Sequence, residues 1–347
     1  MTLLTTKNPE AWRDVRLLFN SHGLDDIYFH PGYISLYADS DSQVEAFLYK
    51  ESSETFFFPY IKRRVSTTDA DIYDFETAYG YGGPVATSLS QGFLESAWQA
   101  FLSYGRSCGI FAGLIRFHPL FQNQKFADTP SIEIQFVRQT VMMTLDSTEE
   151  IIWSRYKQDA RKNVNKAVKN SVEIQLTEGP KALQQFARLY AQTMNDVSAD
   201  EFYRFGDDYF QRIGEKLDGY YKVFLAHHDG KQIGGALTLN GDNLVHLHLS
   251  ATDKGTRHFG TASLLRHSAI MANLHNMTTF HFGGGVTNQP DDSLLRFKQA
   301  FSTEHCQYHI GKVTVDSAVY REVCAKWDEA NPDKKDRYDS IFLKYRF

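Results

Sequence analysis

The chain has 347 residues, of which 42% are apolar, 23% charged and 14% aromatic, and a formal net charge of −5. This is ordinary globular composition at a length suited to about two domains. The acidic balance argues against DNA or general nucleic-acid binding, which carries a basic excess, and no apolar run approaches the ~20 residues of a membrane span.

The N-terminal stretch MTLLTTKNPEAWRD has no basic segment followed by an apolar one, so no signal peptide is expected. Cys108, Cys306 and Cys324 lack metal-ligand spacing and cannot all pair, which points to a reduced, cytoplasmic setting. VEAFLYK (44–50) and TFFFPYIKRR (55–64) flank the polar turn ESSE and predict a hairpin. DIYDFETAYGYGGP (71–84) follows as an extended stretch, then QGFLESAWQAFLSYGRS (91–107) as a helix and IFAGLIRFHP (110–119) as a strand.

In STEEIIWSRYKQDARKNVNKAVKNS (147–171), Trp153, Tyr156, Ala160, Val164 and Ala167 form an apolar stripe that predicts one helix over 153–169. Arg155, Lys157, Arg161, Lys162, Lys166 and Lys169 occupy its other face. They suit a solvated surface, or else the phosphates of an RNA acceptor stem or of a diphosphate-linked substrate. A domain boundary is expected just before this helix, giving domains 1–147 and 148–347. The second half repeats the order of the first. KVFLAHH (222–228) and QIGGALTLN (232–240) flank Asp229-Gly230, a strong hairpin turn. Then come the strand NLVHLHLSA (243–251), the loop TDKGTRHFG (252–260), the helix TASLLRHSAIMANLHN (261–276) and the strand TTFHFGGG (278–285). The repetition predicts two related α/β domains.

Within the loop, Arg257-His258-Phe259-Gly260-Thr261-Ala262 stands after a strand and opens a helix, where free N–H groups favour an anion. This Arg-x-x-Gly-x-Ala pattern resembles the pyrophosphate loop of the GNAT acyltransferases. Its alternative is a solvent loop with a left-handed glycine. A wider resemblance covers most of the chain. Arg161-Lys162, Lys166-Ala167, YAQT (190–193), Asp229-Gly230, Gly235-Ala236, Gly283-Gly284-Gly285 and LLRFKQAF (294–301), with DIYFHPGY and YGYGGP before them, resemble the FemAB-like family.

That resemblance implies mixed α/β architecture with two GNAT-like domains in tandem. It implies acyl or aminoacyl transfer to an amine of an envelope or polysaccharide precursor, an amino sugar or a peptide. The co-substrate would be acyl-CoA or aminoacyl-tRNA, with tRNA then a partner and no tightly bound cofactor. Lys298 matches the family's Phe-Lys position, beside Phe297. One departure counts against peptidoglycan aminoacyl transfer: Gly82-Gly83-Pro84-Val85-Ala86-Thr87 stands where the ligases tend to have Arg-Gly-Pro-Val and then an acid. A silent binding module on the same fold is the reading from another class.

Acyl transfer needs a donor at the carbonyl oxygen and an acceptor for the amine's proton. Lys298 is the candidate for the first, and Asp291 or Asp292 for the second, although Asp292 also has the position of a helix cap. His248 is a candidate base or a core histidine. His246, His248 and His281 share a predicted face without supporting ligands, so no metal is expected. Arg257, Gly260, Thr261 and Ala262 are expected to hold the co-substrate, and Tyr81, Gly83, Arg116, Gly284 and Phe297 to contact substrate. No Ser or Cys has a nucleophile's setting, which favours direct attack.

Overall fold

The computed structural model describes residues 1–65, 71–196, 204–289 and 291–347. It divides into two compact units, Met1–Val137 with Gln307–Phe347, and Arg138–Cys306. The first unit opens with β1 (Thr2–Thr5), α1 (Pro9–Ser21), α2 (Pro31–Ile34), β2 (Ser42–Glu51) and β3 (Glu54–Arg64). It continues with β4 (Tyr73–Glu76), β5 (Val85–Ala86), α3 (Gln91–Ser107) and β6 (Ile110–Arg116). β7 (Ile132–Thr144) then carries the chain into the second unit.

There follow α4 (Glu149–Arg155), α5 (Gln158–Lys169), β8 (Glu173–Thr177), α6 (Pro180–Asp196) and α7 (Asp207–Lys216). The rest of that unit is β9 (Tyr221–His228), β10 (Lys231–Asn240), β11 (Leu244–Thr252), α8 (Thr261–Met271), β12 (Thr279–Gly284) and α9 (Ser293–Lys298). β13 (Glu304–Thr314) returns to the first unit, which ends in α10 (Ser317–Ala330) and α11 (Lys335–Tyr338).

The two units share a pairing scheme. In the first, β1, β2, β3 and β4 pair antiparallel in that order, α3 crosses over, and β6 lies parallel to β4. In the second, β8, β9, β10 and β11 pair antiparallel, α8 crosses over, and β12 lies parallel to β11. Helical crossovers of this length are what parallel neighbours require. The last strand of each unit is exchanged. Residues 140–144 of β7 pair with β12, and residues 310–314 of β13 pair with β6. This exchange divides the chain differently from the expected 1–147 and 148–347, because residues 138–147 belong to the second unit and 307–347 to the first.

Local chemistry sets these elements. β3 buries Phe56, Phe57, Phe58, Tyr60 and Ile61 on both its faces, as a strand covered on each side must. α3 lays Trp98 and Phe101 against Phe58, and the Trp98 indole donates to the Phe126 carbonyl at 2.8 Å. The helix expected over 153–169 is two helices. Tyr156 and Lys157 are extended, and the Lys157 N–H leaves the helical ladder to reach the Ala300 carbonyl at 2.8 Å. The apolar stripe nevertheless holds, with Tyr156, Ala160, Val164 and Ala167 all buried against the α8 core.

Candidate active site

The glycine triplet closing β12 has a distinct reason at each position. Gly283 sits at a register shift with φ of +76°, a backbone that favours glycine. A Cβ on Gly284 would come within 2.9 Å of the Arg138 side chain, and one on Gly285 within 2.5 Å of the Asp292 carboxylate. The bare backbone thus makes room for this chain's own charged side chains.

Asp292 is the N-cap of α9. Its Oδ1 accepts from the Leu295 N–H at 2.8 Å. Its Oδ2 accepts from the N–H groups of Val286 and Thr287 at 3.0 and 2.8 Å and from the Thr287 hydroxyl at 3.1 Å. Burial pushes its pKa up, but the backbone N–H groups of Thr287 and Leu295 outweigh that and hold it below the usual value. A carboxylate so occupied is a poor proton acceptor, and the capping geometry replaces the expected basic role. Asp291 is exposed.

Lys298 is buried rather than solvated, and its Nζ donates to the Gly284 carbonyl at 2.6 Å. Burial lowers its pKa to about 7, helped by the positive charges of Arg266 and Arg138 and opposed by Asp292. Arg266 on α8 is 4% exposed and stacks over the Phe297 ring at 4.4 Å. Its Nη1 donates to the Ala262 carbonyl at 2.9 Å, and burial lowers its pKa to about 10. Arg138 on β7 donates to the carbonyls of Gly285 and Val286 at 2.7 and 2.9 Å. Among the described residues, none of the three cations forms a salt bridge.

The histidines are committed elsewhere. The Tyr209 hydroxyl lies 2.6 Å from Nε2 of His248, whose pKa burial, then His246, lowers to about 3. An imidazole of that basicity is a weak base at neutral pH. His246 and His281 are register partners on β11 and β12, with their Nδ1 atoms 3.2 Å apart, and His281 Nε2 is 3.0 Å from the Thr140 hydroxyl.

Gly260 has φ of +85° and precedes the first turn of α8. A Cβ there would stand 2.3 Å from the Asn163 carbonyl of α5. The close approach expected of a pyrophosphate is made by a neighbouring helix. Thr261 is buried, and its Oγ1 has no partner among the described residues. Ala262 is half-buried, and Arg257 is exposed.

In the first unit, the Arg116 guanidinium donates to the Thr77 carbonyl at 2.6 Å and to Glu76 at 3.1 Å, tying β6 to β4. Tyr81 meets Tyr28 and Tyr308 edge-on with ring centroids 5.4 Å apart. Gly83 has φ of +90° against Asn123 and Phe117. Beside Tyr81 lies a pair missed in the sequence reading, Asp26 and His118, both buried with Oδ2 and Nε2 at 2.7 Å.

Residues 154–299 match the sequence model of the acetyltransferase (GNAT) domain. The whole chain also resembles solved structures of low sequence identity. FemX superposes with a TM-score of 0.72 at 13% identity, over 93% of this chain and 99% of that one. A tandem GNAT protein from the clavulanic acid biosynthesis pathway gives 0.53 at 7%, over 90% and 98%. L-PGS from Bacillus licheniformis gives 0.53 at 10%, over 86% and 90%. The fold is a tandem GNAT fold. Comparison with curated proteins gives no match.

Lys298 and Arg266 fall within the matched residues, near the meeting of β12 and α9, and the half-buried Arg138 precedes them on β7. The sequence reading found Lys298, Phe297 and Gly284 there but missed Arg138 and Arg266. A signal existed for Arg266, an arginine next to Leu264 and Leu265 in the helix TASLLRHSAIM, which has no other Lys, Arg, Asp or Glu. Arg138 carried none, since its strand was not recognised. Among the described residues no helix is long and apolar enough to cross a membrane.

Proposed function

We propose that this protein transfers an acyl group, aminoacyl included, from an activated donor to an amine of a cell-envelope or polysaccharide precursor, an amino sugar or a peptide. The observation that carries the reading is Lys298, a buried lysine at the end of α9 in the matched GNAT domain whose Nζ rests on the Gly284 carbonyl that closes β12. As an ammonium it supplies the charge-assisted N–H donors that a developing acyl oxyanion requires. The family resemblance and the likeness of fold to FemX and L-PGS support the envelope setting.

For the donor, acyl-CoA is the reading that the GNAT domain supports. Aminoacyl-tRNA is a second reading, favoured by the Asn163 carbonyl that fills the space beside Gly260 and by the exposed lysines 157, 162, 166 and 169 along α5. Incubation with labelled acetyl-CoA or with labelled aminoacyl-tRNA, each with an amine-bearing envelope precursor, tests both. Transfer of label from one donor selects it. Absence of transfer from either, with unchanged protein stability in their presence, overturns the proposal.

A further inference from the structure

We propose that Arg138, Arg266 and Lys298 form a subsite for one phosphate group of a co-substrate. The inference rests on the functional reading above only for the source of that phosphate. Each cation spends part of its donor set on this chain and keeps part. Arg266 gives Nη1 to the Ala262 carbonyl and Nη2, at 3.4 Å, to the Ser250 hydroxyl, while its buried Nε–H has no partner among the described residues. Arg138 gives Nη1 to the Gly285 and Val286 carbonyls, and its buried Nε–H is likewise without a partner. Lys298 uses its Nζ on the Gly284 carbonyl and has three N–H donors in all.

The charge balance points the same way. Of these cations from β7, α8 and α9, Arg266 and Lys298 are buried and Arg138 is half-buried, and the carboxylate near Lys298, Asp292, already accepts four N–H and O–H donors. Buried cations without a paired anion are costly unless a negative group is bound. A planar carboxylate is best met by two parallel donors from a single guanidinium. Here the spare donors come singly from three elements, which suits the several oxygens of a tetrahedral phosphate. Arg266 is further fixed by its stack on Phe297, the residue preceding Lys298.

Titration of inorganic phosphate into the full chain, followed by calorimetry and by phosphorus NMR, tests the subsite without turnover. Saturable binding is expected. Arg266→Gln and Arg138→Gln should each weaken it at least tenfold with unchanged circular dichroism, while Lys181→Gln, exposed on α6, leaves it unaltered. If Arg266→Gln does not fold, Arg138→Gln carries the test alone. Adenosine monophosphate and coenzyme A are then used as competitors. Competition by the first alone assigns an RNA-type phosphate, by the second alone the coenzyme's, and by both a site that reads phosphate itself. Competition by neither overturns the proposal. So does phosphate that fails to saturate, or that binds both arginine variants as tightly as the parent. Acyl transfer without phosphate binding overturns the subsite alone, whereas phosphate binding without transfer overturns only the functional reading.

Discussion

Replacing Lys298 by methionine keeps most of the buried volume and removes the ammonium. On the proposed mechanism, turnover falls ~10²–10³-fold with little change in binding of the amine acceptor, and Gln299→Ala on the next residue stays near normal. Steady-state kinetics on the two variants is the check. Because the folded pKa is lowered to about 7, an ammonium acting as donor predicts activity that declines as pH rises through that value. The opposite slope would assign Lys298 the task of accepting a proton. Stability gives an independent readout. Between about 7 and the ordinary 10.5, the unfolded chain holds a proton that the folded chain has released. Folding stability contributed by this group therefore rises with pH across that window, by at most about 1.4 kcal/mol per unit. Urea unfolding at pH 7 and pH 9 should show the rise in the parent and not in Lys298→Met. The lysine itself was legible from its place in LLRFKQAF. Its burial was not, since the flanking cations come from β7 and α8, far away in sequence.

At the scale of elements, Gly260 links α5 to α8 through a contact that only a missing side chain permits. Gly260→Ala meets the Asn163 carbonyl and adds a left-handed backbone strain of about 1–3 kcal/mol. The expected result is a lowered urea midpoint, and an unchanged midpoint would show that α5 yields at no cost. Such a variant is accordingly no clean probe of ligand binding. Asp292→Ala removes the cap of α9 and should cost about 1 kcal/mol or more, read by the same unfolding. Elements held by local chemistry were legible. The span 91–107 is a helix at its expected ends, and the Asp229-Gly230 turn closes β9 onto β10 with both residues at positive φ. The helix expected over 153–169 breaks at Tyr156 and Lys157 because a distant carbonyl, Ala300, takes the Lys157 N–H. Periodicity carries no trace of such a partner. β7 and β13 escaped notice although IEIQFVRQT alternates like a strand, and their pairing partners lie far away in sequence.

Across the whole molecule, the repeated order of hairpin, strand, helix and strand was visible in the sequence, whereas the exchange of final strands was not. The first unit draws β13 and α10 from residues beyond the second, and its C-terminal segment is tied down by charge. Asp74, fully buried, accepts from Arg63 and also from both Nε and Nη2 of Arg346 at 2.8 Å. Arg346→Ala should destabilise this unit by about 1.5–3 kcal/mol, seen as a lowered denaturation midpoint. A fragment of residues 1–147 lacks these contacts and should fail to give a cooperative unfolding transition.

The exchanged strands also dictate an order of events at the ribosome. Domains ordinarily fold in the order in which they emerge, the N-terminal one first. Here residues 138–306 appear as one uninterrupted run and form a complete unit, while residues 1–137, made before them, still lack the strand that pairs with β6. Until residues 310–314 arrive, β6 presents unpaired backbone along one side, an edge open to association with other nascent chains. Of the two units, the one begun earlier is thus finished later, and its exposure lasts as long as the synthesis of its successor.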